Sequence, residues 1–102
     1  MQELQERELQ MLSDQTCLLY LYTPFCGTCQ LAGKMLEVVD NLMIGVPFYK
    51  NNLNYSPTFA EQQKIESVPC LVFYKKGQIV KKENAFHSVS YLYDMIKQII
   101  AD

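Results

Sequence analysis

The 102-residue sequence has no tryptophan, a single histidine, four glycines and four prolines. It has no repeats, no linker and no low-complexity segment. No stretch approaches the ~20 apolar residues of a membrane-spanning helix, so no membrane role is expected. Neither sign of charge is in excess: nine Lys and Arg against eleven Asp and Glu leave a formal net charge of −2. That balance gives no reason to expect a nucleic-acid partner. The first residues, Met1-Gln2-Glu3-Leu4-Gln5-Glu6-Arg7-Glu8, are polar and acidic. They lack the basic start and apolar core of a signal peptide, so the expected compartment of a chain complete as given is the cytoplasm. Four cysteines in such a protein do not make a disulfide framework. A metal site is also not expected, because Cys17, Cys70 and His87 have none of the spacing of a four-ligand zinc set.

What the chain does have is apolar residues at 49% of positions and enough length to bury roughly 65% of its unfolded surface. A single domain over residues 1–102 is expected, and small size favours a monomer. Leu4, Met11 and Leu12 lie among helix formers and predict a short amphipathic helix ending near Ser13-Asp14. Cys17 to Tyr22 reads as a strand buried on both faces. Leu31, Met35, Val38, Val39 and Leu42 then mark one face of a helix over about 27–43, closed by Gly45. Val46 to Asn51 reads as a strand, with Pro47 at its start or on an edge. A loop to Tyr55 leads to Ser56-Pro57, an N-cap type followed by proline at the first position of a short helix running to about Gln63. Cys70 to Tyr74 is a third apolar strand. Lys75-Lys76-Gly77-Gln78 turns it back into an antiparallel strand over 79–83, with lysines that guard the edge. Ser88 caps a last helix bearing Leu92, Met95, Ile96, Ile99 and Ile100. The order αβαβαββα implies an α/β fold, a central mixed sheet with helices on both faces, whose first βαβ unit is parallel and right-handed.

Two cysteines, Cys26 and Cys29, sit where the buried strand hands over to a helix N-terminus. Unpaired N–H groups and a partial positive charge there stabilise a thiolate. A thiol of pKa near 8.5 is only about 3% ionised at pH 7, and lowering it to ~7 corresponds to ~2 kcal/mol. A helix end supplies ~0.3–1 kcal/mol, so hydrogen bonds from the Thr28 and Cys29 N–H groups are also required. Cys26 is the expected nucleophile because it stands at the exposed tip, with Cys29 inside the first turn. As a staple the pair would be poor, since a four-residue loop is worth only ~2 kcal/mol.

These residues resemble the thioredoxin family over nearly the whole chain. The likeness is carried by the strand plus Cys26-Gly27-Thr28-Cys29, by Val68-Pro69 placed 43 positions after Cys26, by the Tyr74-Lys75-Lys76-Gly77 hairpin and by the terminal helix. The resemblance implies a thioredoxin fold and a cis proline at Pro69 packed against the dithiol. It also implies that the backbone of Val68 bonds extended substrate segments. It further implies a thiol–disulfide oxidoreductase: Cys26 attacks a target disulfide and Cys29 resolves the mixed disulfide. Disulfide-bearing proteins would be its substrates, a reductase or low-molecular-weight thiol its electron donor, and no organic cofactor is implied.

This sequence departs from the family pattern at several positions. Phe25 replaces the usual tryptophan, and Gly27-Thr28 replaces Gly-Pro. Tyr20 stands where a buried aspartate is usual, which leaves Lys50, the match of that aspartate's lysine partner, without it. Lys34 replaces a helix-kinking proline. Thr23-Pro24-Phe25-Cys26 is also similar to the approach to a glutaredoxin site, but Ile79 to Phe86 carries no glutathione-site pattern. Pro24 and Phe25 are expected to form an apolar rim for substrate. Tyr20, Lys50 and Cys70 are candidate modulators, Cys70 because it follows Pro69 and is expected near Cys29. Two alternatives stay open: a non-catalytic peptide-binding module of the same fold, and a metal or cluster carrier using the CxxC pair.

Overall fold

The structure, a computed structural model, describes residues 1–43 and 45–101. Its sheet has five strands in the order β1-β3-β2-β4-β5. These are β1 (Gln2–Glu3), β2 (Cys17–Tyr22), β3 (Phe48–Asn52), β4 (Cys70–Lys75) and β5 (Gln78–Glu83). The helices are α1 (Gly27–Leu42), α2 (Pro57–Gln62) and α3 (Val89–Ala101). β2 runs parallel to β3, as the crossover through α1 requires, and β4 lies antiparallel to both β2 and β5. The sheet is therefore mixed, as expected.

β2 and β4 are the central strands, each buried at five of six positions, which explains their unbroken apolar sequences. Alternation along them divides the core in two. Leu18, Tyr20, Leu71 and Phe73 face α1 and α3, where they meet Cys29, Ala32, Leu36, Val39, Leu92 and Ile96. Leu19, Leu21, Cys70 and Val72 face the opposite way, onto Leu4, Leu9, Leu12 and Phe59.

The N-terminal segment differs from expectation. Gln2 and Glu3 pair in parallel with Tyr49 and Lys50, and the Leu4 N–H continues to the Lys50 carbonyl at 2.8 Å. The helix that follows is a 3-10 helix over Glu6–Asp14. With three residues per turn, Glu6, Leu9 and Leu12 share its inner face. Leu9 and Leu12 are accordingly buried, and Met11, assigned to the apolar face from the sequence, is exposed.

Helix α1 is likewise turned from the face that its largest apolar residues suggest. It buries Cys29, Ala32, Leu36 and Val39, leaving Leu31, Val38 and Leu42 about half exposed. These four recur at the spacing of three and four residues that marks one face of a helix. Gly33, beside that face, lies next to the Tyr20 ring, which a Cβ there would meet in ordinary van der Waals contact at 3.5 Å.

At α2, Pro57 occupies the first helical turn as expected, yet the Ser56 side chain makes no capping bond. Glu6 supplies it instead, its carboxylate accepting from the Phe59 N–H at 2.9 Å. The stretch read as a loop after Asn51 continues β3 to Asn52 and then forms a 3-10 turn over Leu53–Tyr55. Ser88 does cap α3, accepting from the Tyr91 N–H at 3.1 Å.

The β4–β5 turn uses positive φ at both Lys76 and Gly77. It docks on the chain entering β2: the Gly77 N–H bonds the Gln15 carbonyl at 2.8 Å and the Lys76 N–H bonds the Thr16 hydroxyl at 3.0 Å. A Cβ on Gly77 would fall 1.7 Å from the Ser13 carbonyl oxygen. Gly77→Ala therefore combines backbone strain with a clash against main chain, and a loss of about 2 kcal/mol or more is expected. Urea unfolding checks this, and a loss below about 0.5 kcal/mol would contradict the packing described.

Candidate active site

β2 ends at Tyr22, and Thr23-Pro24-Phe25 carries the chain up to Cys26, the N-cap of α1. The helix opens here because a sulfur does what a Ser or Asp oxygen usually does. Cys26 Sγ accepts from the Cys29 N–H at 3.1 Å and lies 3.2 Å from the Thr28 hydroxyl. Cys26 is part-exposed and Cys29 is buried. Phe25 is fully exposed, Pro24 is exposed, and both flank the exposed thiol in sequence.

The two thiols are shifted in opposite directions. Cys26 is held below the ordinary thiol range, first by its hydrogen bond with the Cys29 side chain, then by the Thr28 hydroxyl and the N–H groups of Cys29 and Thr28. Cys29 is pushed up by burial first and then by its hydrogen bond to the Cys26 sulfur. The Thr23 backbone and the Tyr20 hydroxyl work the other way on Cys29. A negative charge on the pair therefore settles on the outer sulfur, which is the one a substrate can reach. The sequence pointed to the helix N–H groups; the Thr28 hydroxyl as a direct partner of the sulfur was missed.

Tyr20 is buried, and its hydroxyl donates to the Cys29 carbonyl. Its ring stacks on Tyr22 at 5.7 Å and meets Phe86 edge-on at 6.1 Å. Burial and the neighbouring Cys29 raise its own pKa, so it stays protonated and cannot replace an aspartate as a base. It is a neutral donor in the place of an acceptor. Lys50 and Tyr20 line one cavity of about 420 Å3 beside Cys29, together with Lys34 and Glu37.

The Val68–Pro69 bond is cis, and both residues are half buried. Val68 packs against the same core cluster that Cys26 and Cys29 join. Cys70 does not approach Cys29 as expected. Residues alternate along β4, so Leu71 faces α1 and Cys70 faces away, into the opposite core. Burial pushes the Cys70 and Cys17 thiols up to about 11. One further residue, Asn84, was not singled out from the sequence. Its amide reaches both sides of Val68, donating toward the Pro69 carbonyl at 2.9 Å and toward Ser67 at 3.2 and 3.3 Å. Among the described residues, no three His, Cys, Asp or Glu side chains are grouped to hold a metal ion.

A dithiol at a strand-to-helix turn, on a five-stranded mixed sheet flanked by helices and beside a cis-proline loop, defines a class of protein. The family model described as Thioredoxin matches residues 2–98. The chain belongs to the thioredoxin family. It is 62% identical over 98 residues to the thioredoxin-like protein YusE of Bacillus subtilis (strain 168), covering 96% of this chain and 92% of that one. It is 28% identical over 98 residues to an M-type chloroplastic thioredoxin of Spinacia oleracea, spanning 93% of this chain and 53% of that protein. The crystal structure of a chloroplastic thioredoxin z superposes with a TM-score of 0.86 at 21% identity, covering 99% of this chain and 95% of that one. The thioredoxin fold is thereby shown.

Two outcomes are expected from this geometry. Tyr20→Phe removes the buried hydroxyl that donates to the Cys29 carbonyl, so a loss of about 1 kcal/mol is expected in urea unfolding. An unchanged unfolding midpoint would show the hydroxyl irrelevant. In the folded, reduced protein burial raises the Cys17 and Cys70 thiols and shuts them off from solvent. Alkylation mapped by mass spectrometry should therefore modify Cys26 first and leave those two intact until the protein unfolds. Early loss of Cys70 would contradict its placement.

Proposed function

We propose that this protein is a thiol–disulfide oxidoreductase acting on protein disulfides in the cytoplasm, through Cys26 and Cys29. The observation that carries the reading is the Cys26 sulfur. It caps α1, accepts the Cys29 N–H at 3.1 Å, and has its pKa lowered, next to a second thiol that is buried and raised. Family membership supports the same kind of chemistry.

In this mechanism the Cys26 thiolate attacks one sulfur of the target disulfide. A Cys26–target bond forms, the target S–S bond breaks, and the electron pair leaves on the other target sulfur, which takes a proton. Cys29 then loses its proton and attacks Cys26 Sγ, forming the Cys26–Cys29 disulfide and releasing the second target thiol. The target gains two electrons and the protein dithiol loses two. When the protein disulfide is reduced again, the incoming thiolate attacks the accessible Cys26 Sγ, and Cys29 leaves and takes a proton. The lowered pKa of Cys26 makes it the better leaving group in the second exchange, when a further thiolate cleaves the resulting mixed disulfide. Pro24, Phe25, Gly27 and Thr28 form the rim that a polypeptide would meet, and Val68 and Pro69 form the backbone ledge beside it. No organic cofactor is needed, and the electrons would come from a reductase or a low-molecular-weight thiol.

The test is turnover of a protein disulfide by single-cysteine variants. Cys26→Ser should abolish exchange, whereas Cys29→Ser should trap stable mixed disulfides. Equal residual turnover in both would overturn the assignment, and full biological activity in Cys26→Ser would favour a non-catalytic binding module. Equilibration in graded thiol–disulfide buffers then places the couple: about −270 mV marks a reductase like thioredoxin, and nearer −200 mV marks an exchanger.

A further inference from the structure

Asn84 is the first residue after β5, and its side chain is turned back onto the loop that precedes β4. The Nδ2 atom lies 2.9 Å from the Pro69 carbonyl oxygen, 3.2 Å from the Ser67 hydroxyl and 3.3 Å from the Ser67 carbonyl oxygen. Two of these partners are carbonyls and accept only, so a donor must face them, and that fixes which end of the amide points inward. The residue's own position is fastened from behind. The Glu83 carboxylate accepts from the Ala85 N–H at 3.0 Å and from the Tyr91 hydroxyl at 3.3 Å, tying the turn at residues 84–85 to β5 and α3.

The contacts leave a particular gap. Asn84 holds the residues on both sides of Val68, and among the described residues the Val68 N–H and carbonyl take part in no hydrogen bond. Val68 is half buried, and the loop on either side of it is tied by the Asn84 amide. A main-chain N–H and carbonyl not bonded within the protein can be met by an extended polypeptide, which supplies both a donor and an acceptor.

We propose that Asn84 is a positioning residue for polypeptide substrates. By tying Ser67 and Pro69 it presents the Val68 backbone to an extended segment flanking the target disulfide. This inference rests on the oxidoreductase reading above and adds a selectivity to it. A small disulfide without a peptide backbone gains nothing from Val68, so its reaction with Cys26 should not depend on Asn84.

The experiment compares two substrates on the full chain: a linear peptide joined to a second peptide by one disulfide, and hydroxyethyl disulfide. Asn84→Ala should raise KM for the peptide disulfide about tenfold, with kcat and the rate on hydroxyethyl disulfide unchanged. Asn84→Asp has the same shape but sets an ionised acceptor against two carbonyls, so its KM should rise further. Asn84→Ser keeps one donor and should fall between Asn84→Ala and the parent protein. An unchanged peptide KM in the Ala and Asp variants would overturn the proposal. So would equal losses on both substrates in all three variants, which is the mark of general damage to the fold. A parent protein inactive on both substrates would bring down the oxidoreductase reading itself, a result separate from either of these.

Discussion

A helix start needs acceptors for its first N–H groups, and in this protein one of them is a sulfur. The 3.1 Å bond from the Cys29 N–H to Cys26 Sγ joins three requirements in a single contact. It satisfies an orphan donor of α1, it places the outer thiol at the positive end of the helix, and it sets the two cysteines three residues apart on one turn. The contact is well defined because β2 is buried along nearly its whole length between two cores, and delivers the chain to the turn without slack. Packing of Ala32, Leu36 and Val39 into the same core as Leu18 and Tyr20 fixes the helix against the same strand. The reactive turn is thus held from its strand side and its helix side at once.

The inner thiol is handled differently. Burial keeps Cys29 protonated, and the side chain beside it is a tyrosine whose own ionisation is suppressed. That tyrosine's hydroxyl donates to the Cys29 carbonyl and, being neutral, cannot take the proton of the thiol. The arrangement therefore separates the two sulfurs by their surroundings alone: a part-exposed, hydrogen-bonded thiol of lowered pKa and a buried partner of raised pKa. In the proposed reaction, resolution by Cys29 is the step most dependent on pH, because its thiol is raised and that of Cys26 is lowered.

Much of the remaining structure is tied together by side chains reaching across long sequence separations. Glu6 caps a helix 53 residues away, and Asn84 fastens a loop 15 residues before it. The Gly77 turn lies directly against the backbone at Ser13. Each contact lets a polar group do work that the local sequence does not supply. Ser56 illustrates the consequence: it has the right residue type and position for an N-cap, yet its hydroxyl is buried without a partner while the Glu6 carboxylate does the capping.

The sequence by itself determined the central strands, the crossover, the hairpin, the capped terminal helix and the two cysteines. Each of these depends on local rules of periodicity, turn chemistry and capping, which operate within a few residues. Periodicity was a poorer guide where more than one face was apolar. On α1 the face that meets the sheet holds Cys29, Ala32, Leu36 and Val39, and Leu31, Val38 and Leu42 are left outward, since the orientation is set by packing against the sheet. The two-residue β1 carries no pattern that could be read, and the 3-10 period of Glu6, Leu9 and Leu12 is visible only once the helix type is known. The roles of Tyr20, Cys70 and Asn84 were decided by tertiary structure alone. Which face of β4 a residue occupies, and which distant carbonyl an amide meets, depend on register and on packing between elements that no single segment encodes.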